Sequence, residues 1–182
     1  MMEEIEFDPV DSASAGAIGE PGKRTFLIQG RKQNVLVGVL VEKQQIELLA
    51  SQSLEFLDSL NEEFPEEVIA TPHDFEVAGV IEPIEPMFRA QSMGLIFDPE
   101  RQLITLELRE LPLEEDFIND SSDQIAPLEA RQDEHVLRLT MTRTQLRAMA
   151  VRGTESVIAG REPCPLCQNP MDLTGHICPR LN

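Results

Sequence analysis

The sequence predicts an α+β fold: a mainly antiparallel sheet of about five strands, two helices packed on it, and a zinc knuckle at the C-terminus. Three observations lead there. Short runs of alternating or wholly apolar residues recur between turn-forming residues, which is the pattern of strands. Two longer segments, 43–60 and 143–160, carry apolar residues at helical spacing. All three cysteines stand at 164, 167 and 178, close to a histidine at 176. A chain of 182 residues suits one domain with a small appendage, divided here into 1–160 and 161–182.

In chain order, residues 1–23 are rich in Ser, Ala and Gly and are expected to be loosely ordered. Gly19-Glu-Pro-Gly22 reads as a turn before a strand, Arg24–Gln29. Residues Gly30 to Asn34 are expected to form a hairpin connection into a second strand, Val35–Val41, which is apolar on both faces and so belongs inside the sheet. A helix over about 43–60 follows, with Ile46, Leu49, Ala50, Ser53, Leu57 and Leu60 as its buried stripe. Pro-rich residues 66–87 hold an extra strand at Phe75–Ile81. Two further strands are expected at Phe88–Phe97 and Leu103–Arg109, joined by a turn at Asp98–Gln102. In the second, Ile104, Leu106 and Leu108 share one face. Residues 110–134 carry nine acidic side chains against one arginine and read as a surface loop. A last strand, His135–Met141, leads into the helix at 143–160.

One internal relation crosses this order. Displaced by 100 residues, Val37, Val39 and Val41 fall on Leu137, Leu139 and Met141, and Gln45, Ile46, Leu49 and Ala50 fall on Gln145, Leu146, Met149 and Ala150. Two pseudo-equivalent strand–helix units would give this pattern. So would two unrelated amphipathic segments obeying the same periodicities.

Composition excludes several functions. The core must be aliphatic, because Trp and Tyr are absent and only eight Phe and seven Met supply larger side chains. The formal charge of −18, from 33 acidic and 15 basic residues, repels phosphate backbones and anionic membrane surfaces. Nucleic acid and membrane are therefore disfavoured as partners. The acidic excess lies in 1–160, since the tail balances Arg161 and Arg180 against Glu162 and Asp172. No apolar run is long enough to span a bilayer, and the acidic start of the chain is unlike a secretory signal. A cytoplasmic, acidic protein is the expectation, and an odd cysteine count there argues against a disulfide framework.

The chemistry-bearing motif is Cys164-Pro-Leu-Cys167 followed by His176-Ile-Cys178. Two cysteines separated by two residues suit a knuckle that turns both sulfurs inward. A histidine and a cysteine two apart share one face of an extended strand. Asn169-Pro170 and Gly175 favour the loop that folds one pair onto the other. Four donors from protein close a tetrahedral zinc shell and leave no open position, so the zinc is structural. Cys164, Cys167, His176 and Cys178 are the candidate ligands, softer donors than Asp172 nearby. A redox Cys-x-x-Cys lacks its strand–helix context here, and an iron–sulfur centre prefers four thiolates. No catalytic residue stands out. The stretch from Gly19 to Thr25 fails the phosphate-loop pattern, because Arg24 separates Lys23 from Thr25. His73 and His135 each lack a neighbouring nucleophile.

The segments Gly19–Phe26, Val41–Gln45, Phe88–Leu95, Gly160–Cys167 and His176–Arg180 resemble a bacterial family of unknown function, DUF 3090, over nearly the whole chain. Gln168 departs from the glycine that similar tails place after the second cysteine. The resemblance implies no established activity. Its members look associated with genes for a histidine-phosphatase-like and a lipid-kinase-like protein, which implies a phosphate-signalling or metabolic setting. Three functions follow as expectations. The first is a non-enzymatic cytosolic binding or adaptor module with an unknown protein partner, contacting it through Leu166, Met171 and Ile177. The second is an enzyme or regulator acting on a small phosphorylated substrate held by Lys23, Arg24 and Arg89. The third is nucleic-acid binding through the knuckle, for which the basic and aromatic surface is missing.

Overall fold

A computed structural model of the chain describes residues 4–65, 79–81, 85–110, 135–160, 164–167, 171 and 178–180. Among them are seven strands and two helices, and the chain is α+β. Strands β2 (Ser12–Ile18), β3 (Thr25–Lys32) and β4 (Val35–Val41) form an antiparallel meander that runs into helix α1 (Lys43–Glu63). Strands β5 (Ser92–Asp98), β6 (Leu103–Arg109) and β7 (Val136–Met141) form a second meander that runs into α2 (Arg143–Ile158). The 100-residue relation is therefore a repeat of structure, βββα followed by βββα.

The repeat extends to side chains. The buried stripe of α1 contains Ile46, Leu49, Ala50, Ser53 and Leu57, and that of α2 contains Leu146, Met149, Ala150, Gly153 and Val157. Each helix opens with a capping box, Glu42 with Gln45 and Thr142 with Gln145, which satisfies backbone N–H groups that a helix start would otherwise leave unpaired.

The two units exchange their leading segments. Strand β1 (Glu4–Phe7) precedes the first meander but pairs in parallel with β7 of the second. Residues 87–90 precede the second meander but pair in parallel with β4 of the first. Their bonds are Met87 N–H to Gly38 O, Leu40 N–H to Phe88 O and Ala90 N–H to Leu40 O, each 2.9 Å. The box glutamines reinforce the exchange. Gln45 Nε2 donates to Ala90 O at 3.1 Å and Gln145 Nε2 to Asp11 O at 3.3 Å, each across to the other unit. The sheets are ordered β1-β7-β6-β5 and β2-β3-β4.

Between the sheets lies one aliphatic core. Ile28, Ile46, Leu106, Leu137, Leu139 and Met141 are among its fully buried members, each worth roughly 1.5–3 kcal/mol relative to exposure. Gly30 lets the sheets meet, since a Cβ there would run into Leu139 Cδ2. Arg143 is buried too, at 3% exposure, with no carboxylate among the described residues to neutralise it. Instead it donates to Asn61 Oδ1 (3.0 Å), Phe64 O (2.7 Å) and Gln102 Oε1 (2.6 Å) and lies over the Phe97 ring. Asn61 and Phe64 mark the end of α1, where unpaired carbonyls favour a cation.

Several expectations are corrected. Residues 1–23 are not loosely ordered throughout, because they supply β1 and β2. The alanine- and glycine-rich β2 has weak strand propensity but packs closely against α2, where only small side chains fit. Gly30 lies inside β3 and not in the connection; the turn narrows to Gln33 and Asn34, with Gln33 at positive φ. The run Phe88–Phe97 is not one strand. It serves β4 as far as Ala90 and then crosses to the other sheet as β5. Helix α1 runs to Glu63, three residues beyond the expected end, and α2 stops at Ile158. Asp98 Oδ1 accepts from the backbone N–H groups of Glu100 and Arg101, which makes the expected turn. Gly19 and Gly22 both have φ of 96°, as the expected turn before β3 requires of glycine. Most of the Phe75–Ile81 strand and the acidic stretch 111–134 lie outside the described residues. Ile81 itself is held by a side chain, Gln29, which bonds both its N–H and its carbonyl.

Candidate metal centre

Pro165 to Cys167 form a turn immediately after Cys164, so a two-residue spacer brings the two sulfurs to one side. Cys178 joins them from the far end of the tail. Cys164 and Cys178 are buried and Cys167 is half-buried, and none of the three is in a disulfide. Their Sγ atoms lie within 4.8 Å of one another, and those of Cys164 and Cys178 are 3.8 Å apart. A disulfide needs about 2.05 Å. Thiolates bound tetrahedrally to zinc at about 2.3 Å stand roughly 3.8 Å from each other. The Cys164–Cys178 pair has the second spacing.

Local hydrogen bonds favour the thiolate of Cys164. The backbone N–H of Cys167 points at the Cys164 sulfur and pulls that thiol below its ordinary value. This outweighs the upward push of burial, and the Leu166 N–H and the other two thiols add to it. Such N–H···S contacts orient the sulfur as well as stabilising its charge. The turn is tied back by Arg180, whose Nη1 donates to Leu166 O at 2.8 Å. A metal ion would find three convergent soft donors here. The fourth expected ligand, His176, lies outside the described residues, as do Asp172 and Ile177. Leu166 is exposed and Met171 half-buried.

The remaining site residues have structural employment. Arg24 Nη1 donates to Ser156 O at 2.5 Å and its guanidinium lies over Phe26, which caps the C-terminal end of α2. The cavity beside it is lined by Lys43 but also by Glu47 and the end of α2, whose negative dipole end opposes an anion. Lys23 uses its backbone N–H to close the turn on Glu20 O. Arg89 pairs with Glu42, so this guanidinium too has an internal partner. His135 Nδ1 lies 2.5 Å from Glu110 Oε2 and its ring stacks on Phe88; His73 lies outside the described residues.

Sequence reasoning missed two groups at the cluster, the amide pair of the turn and the Arg180 tie. The Cys-Pro-Leu-Cys spacing foreshadowed the first. The second joins residues 14 apart in sequence and had no local signal. No helix among the described residues is long and apolar enough to cross a membrane. Neither the curated proteins nor the solved structures contain a match to the chain. The family model of the protein of unknown function DUF3090 does match, over residues 5–178, and the chain belongs to that family.

Proposed function

We propose that the protein is a non-enzymatic, cytosolic zinc-binding adaptor. In this reading Cys164, Cys167, Cys178 and His176 hold one structural zinc, and the tail it shapes presents Leu166 to a protein partner. The convergence of three cysteine sulfurs within 4.8 Å, none of them in a disulfide, carries the reading. A tail of this size buries little apolar surface, so its order must come from elsewhere, and zinc supplies on the order of 10 kcal/mol to small finger peptides. Three thiolates and one imidazole close the coordination shell, which disfavours Lewis-acid chemistry at the metal. Leu166 is the one exposed large apolar side chain of the turn, at 45% exposure, and Arg180 fixes the backbone beneath it.

Two measurements test this. Elemental analysis of protein purified under reducing conditions should give one zinc per chain, reduced to substoichiometric levels in Cys167→Ser and His176→Ala. Affinity capture from native lysate should then recover a partner with the wild-type protein and with neither Leu166→Asp nor Cys167→Ser, both of which keep the melting temperature of the main domain. Absence of zinc in the wild type would sink the metal reading. Equal capture by all three proteins would remove recognition from the tail.

A further inference from the structure

The internal repeat supplies a control for every cavity in the fold. Helix α2 packs closely against β2, and Gly153 marks the contact: a Cβ there would sit 3.5 Å from Ala15 Cβ and 3.0 Å from Ile46 Cγ2. The equivalent pair under the repeat is α1 and β5, likewise one from each unit, which make no comparably close approach. The residues explain why. On β2 the column facing the helix is Ala13, Ala15 and Ala17, and the matching column on β5 is Met93, Leu95 and Phe97. Longer side chains hold α1 away, and a cavity of about 350 Å³ opens where the equivalent α2–β2 contact is filled.

We infer that this cavity is a binding site for an uncharged, largely apolar small molecule that carries a hydrogen-bonding group. Its volume falls at the lower end of small-molecule sites, roughly 300–1,000 Å³. Leu48, Phe56, Met93 and Leu95 supply an apolar wall, and Leu48 is 53% exposed, a cost that a ligand would relieve. Gln52 and Gln91 bring amides that both donate and accept. In a chain with 33 acidic side chains, none of the described lining residues is charged. That neutral wall favours an uncharged ligand, because an ion desolvated against these residues would gain no opposite charge from them. The site does not depend on the metal tail.

The uncharged fluorophore N-phenyl-naphthylamine is a suitable probe, with anilinonaphthalene sulfonate as its anionic counterpart. Titration of the full chain should give saturable fluorescence at one probe per chain and a raised melting temperature. Gln52 is exposed on α1, so Gln52→Trp can fill the cavity without touching the core and should weaken the probe by at least about tenfold, or 1.4 kcal/mol. Gln52→Glu, which adds a charge at the rim, should weaken it as well. Both variants should melt at the temperature of the unliganded wild type. Non-saturable binding, binding unchanged in Gln52→Trp, or equal affinity for the sulfonate would overturn the assignment.

Discussion

The two βββα units satisfy one hydrophobic pattern in two different ways. Position 43 carries an exposed lysine, while position 143 carries an arginine buried over the end of α1. Position 53 is a serine whose buried hydroxyl has no hydrogen-bond partner among the described residues, and position 153 is a glycine that admits β2. Three alanines on β2 are matched by Met93, Leu95 and Phe97 on β5. Periodicity is thus shared, and side-chain volume is not. The lesson is that periodicity decides which face of an element turns inward. Volume decides whether the space it meets is filled or left open.

The largest effect should separate Arg143 from Lys43. Arg143→Ala removes three hydrogen bonds from a charged donor and strands Phe64 O at the end of α1, for an expected loss of about 3 kcal/mol. Lys43→Ala should stay within about 0.5 kcal/mol. Urea midpoints of the two variants decide the matter, and similar losses would mean that the units are alike at this position after all. Next comes Ala15→Leu, which copies the β5 residue onto β2. Overpacking against α2 should cost about 2 kcal/mol, whereas Leu95→Ala should cost less because Leu95 is only half-buried. Reversal of that order in thermal melts would contradict the volume argument.

Ser53→Ala should raise stability, by about 1 kcal/mol, because it removes a buried hydroxyl without a partner. A destabilised variant would show that the hydroxyl is in fact bonded. The smallest effect concerns the tie between β1 and the β5–β6 turn. Arg101 hydrogen-bonds the Asp8 carboxylate and holds its pKa below the ordinary carboxylate range. A carboxylate depressed on folding adds stability above its unfolded value and loses it as the pH falls through the folded one. Asp8→Asn should therefore differ slightly from wild type at neutral pH and converge with it in acid. The pair is exposed and salt-screened, so the difference should shrink with added salt.

Much of the fold was legible because burial alternation and helical spacing are local properties. The bounds of β4 and β6 follow from their own residues, and all six core positions expected of α1 are buried. The α1 end was less legible, since Phe64 docks on Phe97 and Arg143, which are distant in sequence. At the metal centre the three thiols were legible from spacing alone, because a knuckle is built within a few residues. The cavity at β5 was invisible, since its existence depends on how far one helix stands from a strand of the other unit.

The amino-acid sequence alone determined the strands and helices with strong periodicity, the aliphatic core, and the meeting of Cys164 with Cys167, all of which rest on short-range geometry. Tertiary structure decided the exchange of leading segments between units, the strand state of Ser12–Ile18, and the burial of Arg143. Each of these depends on a partner supplied from far along the chain. A segment of small residues becomes a strand only once a helix lies close enough to require it.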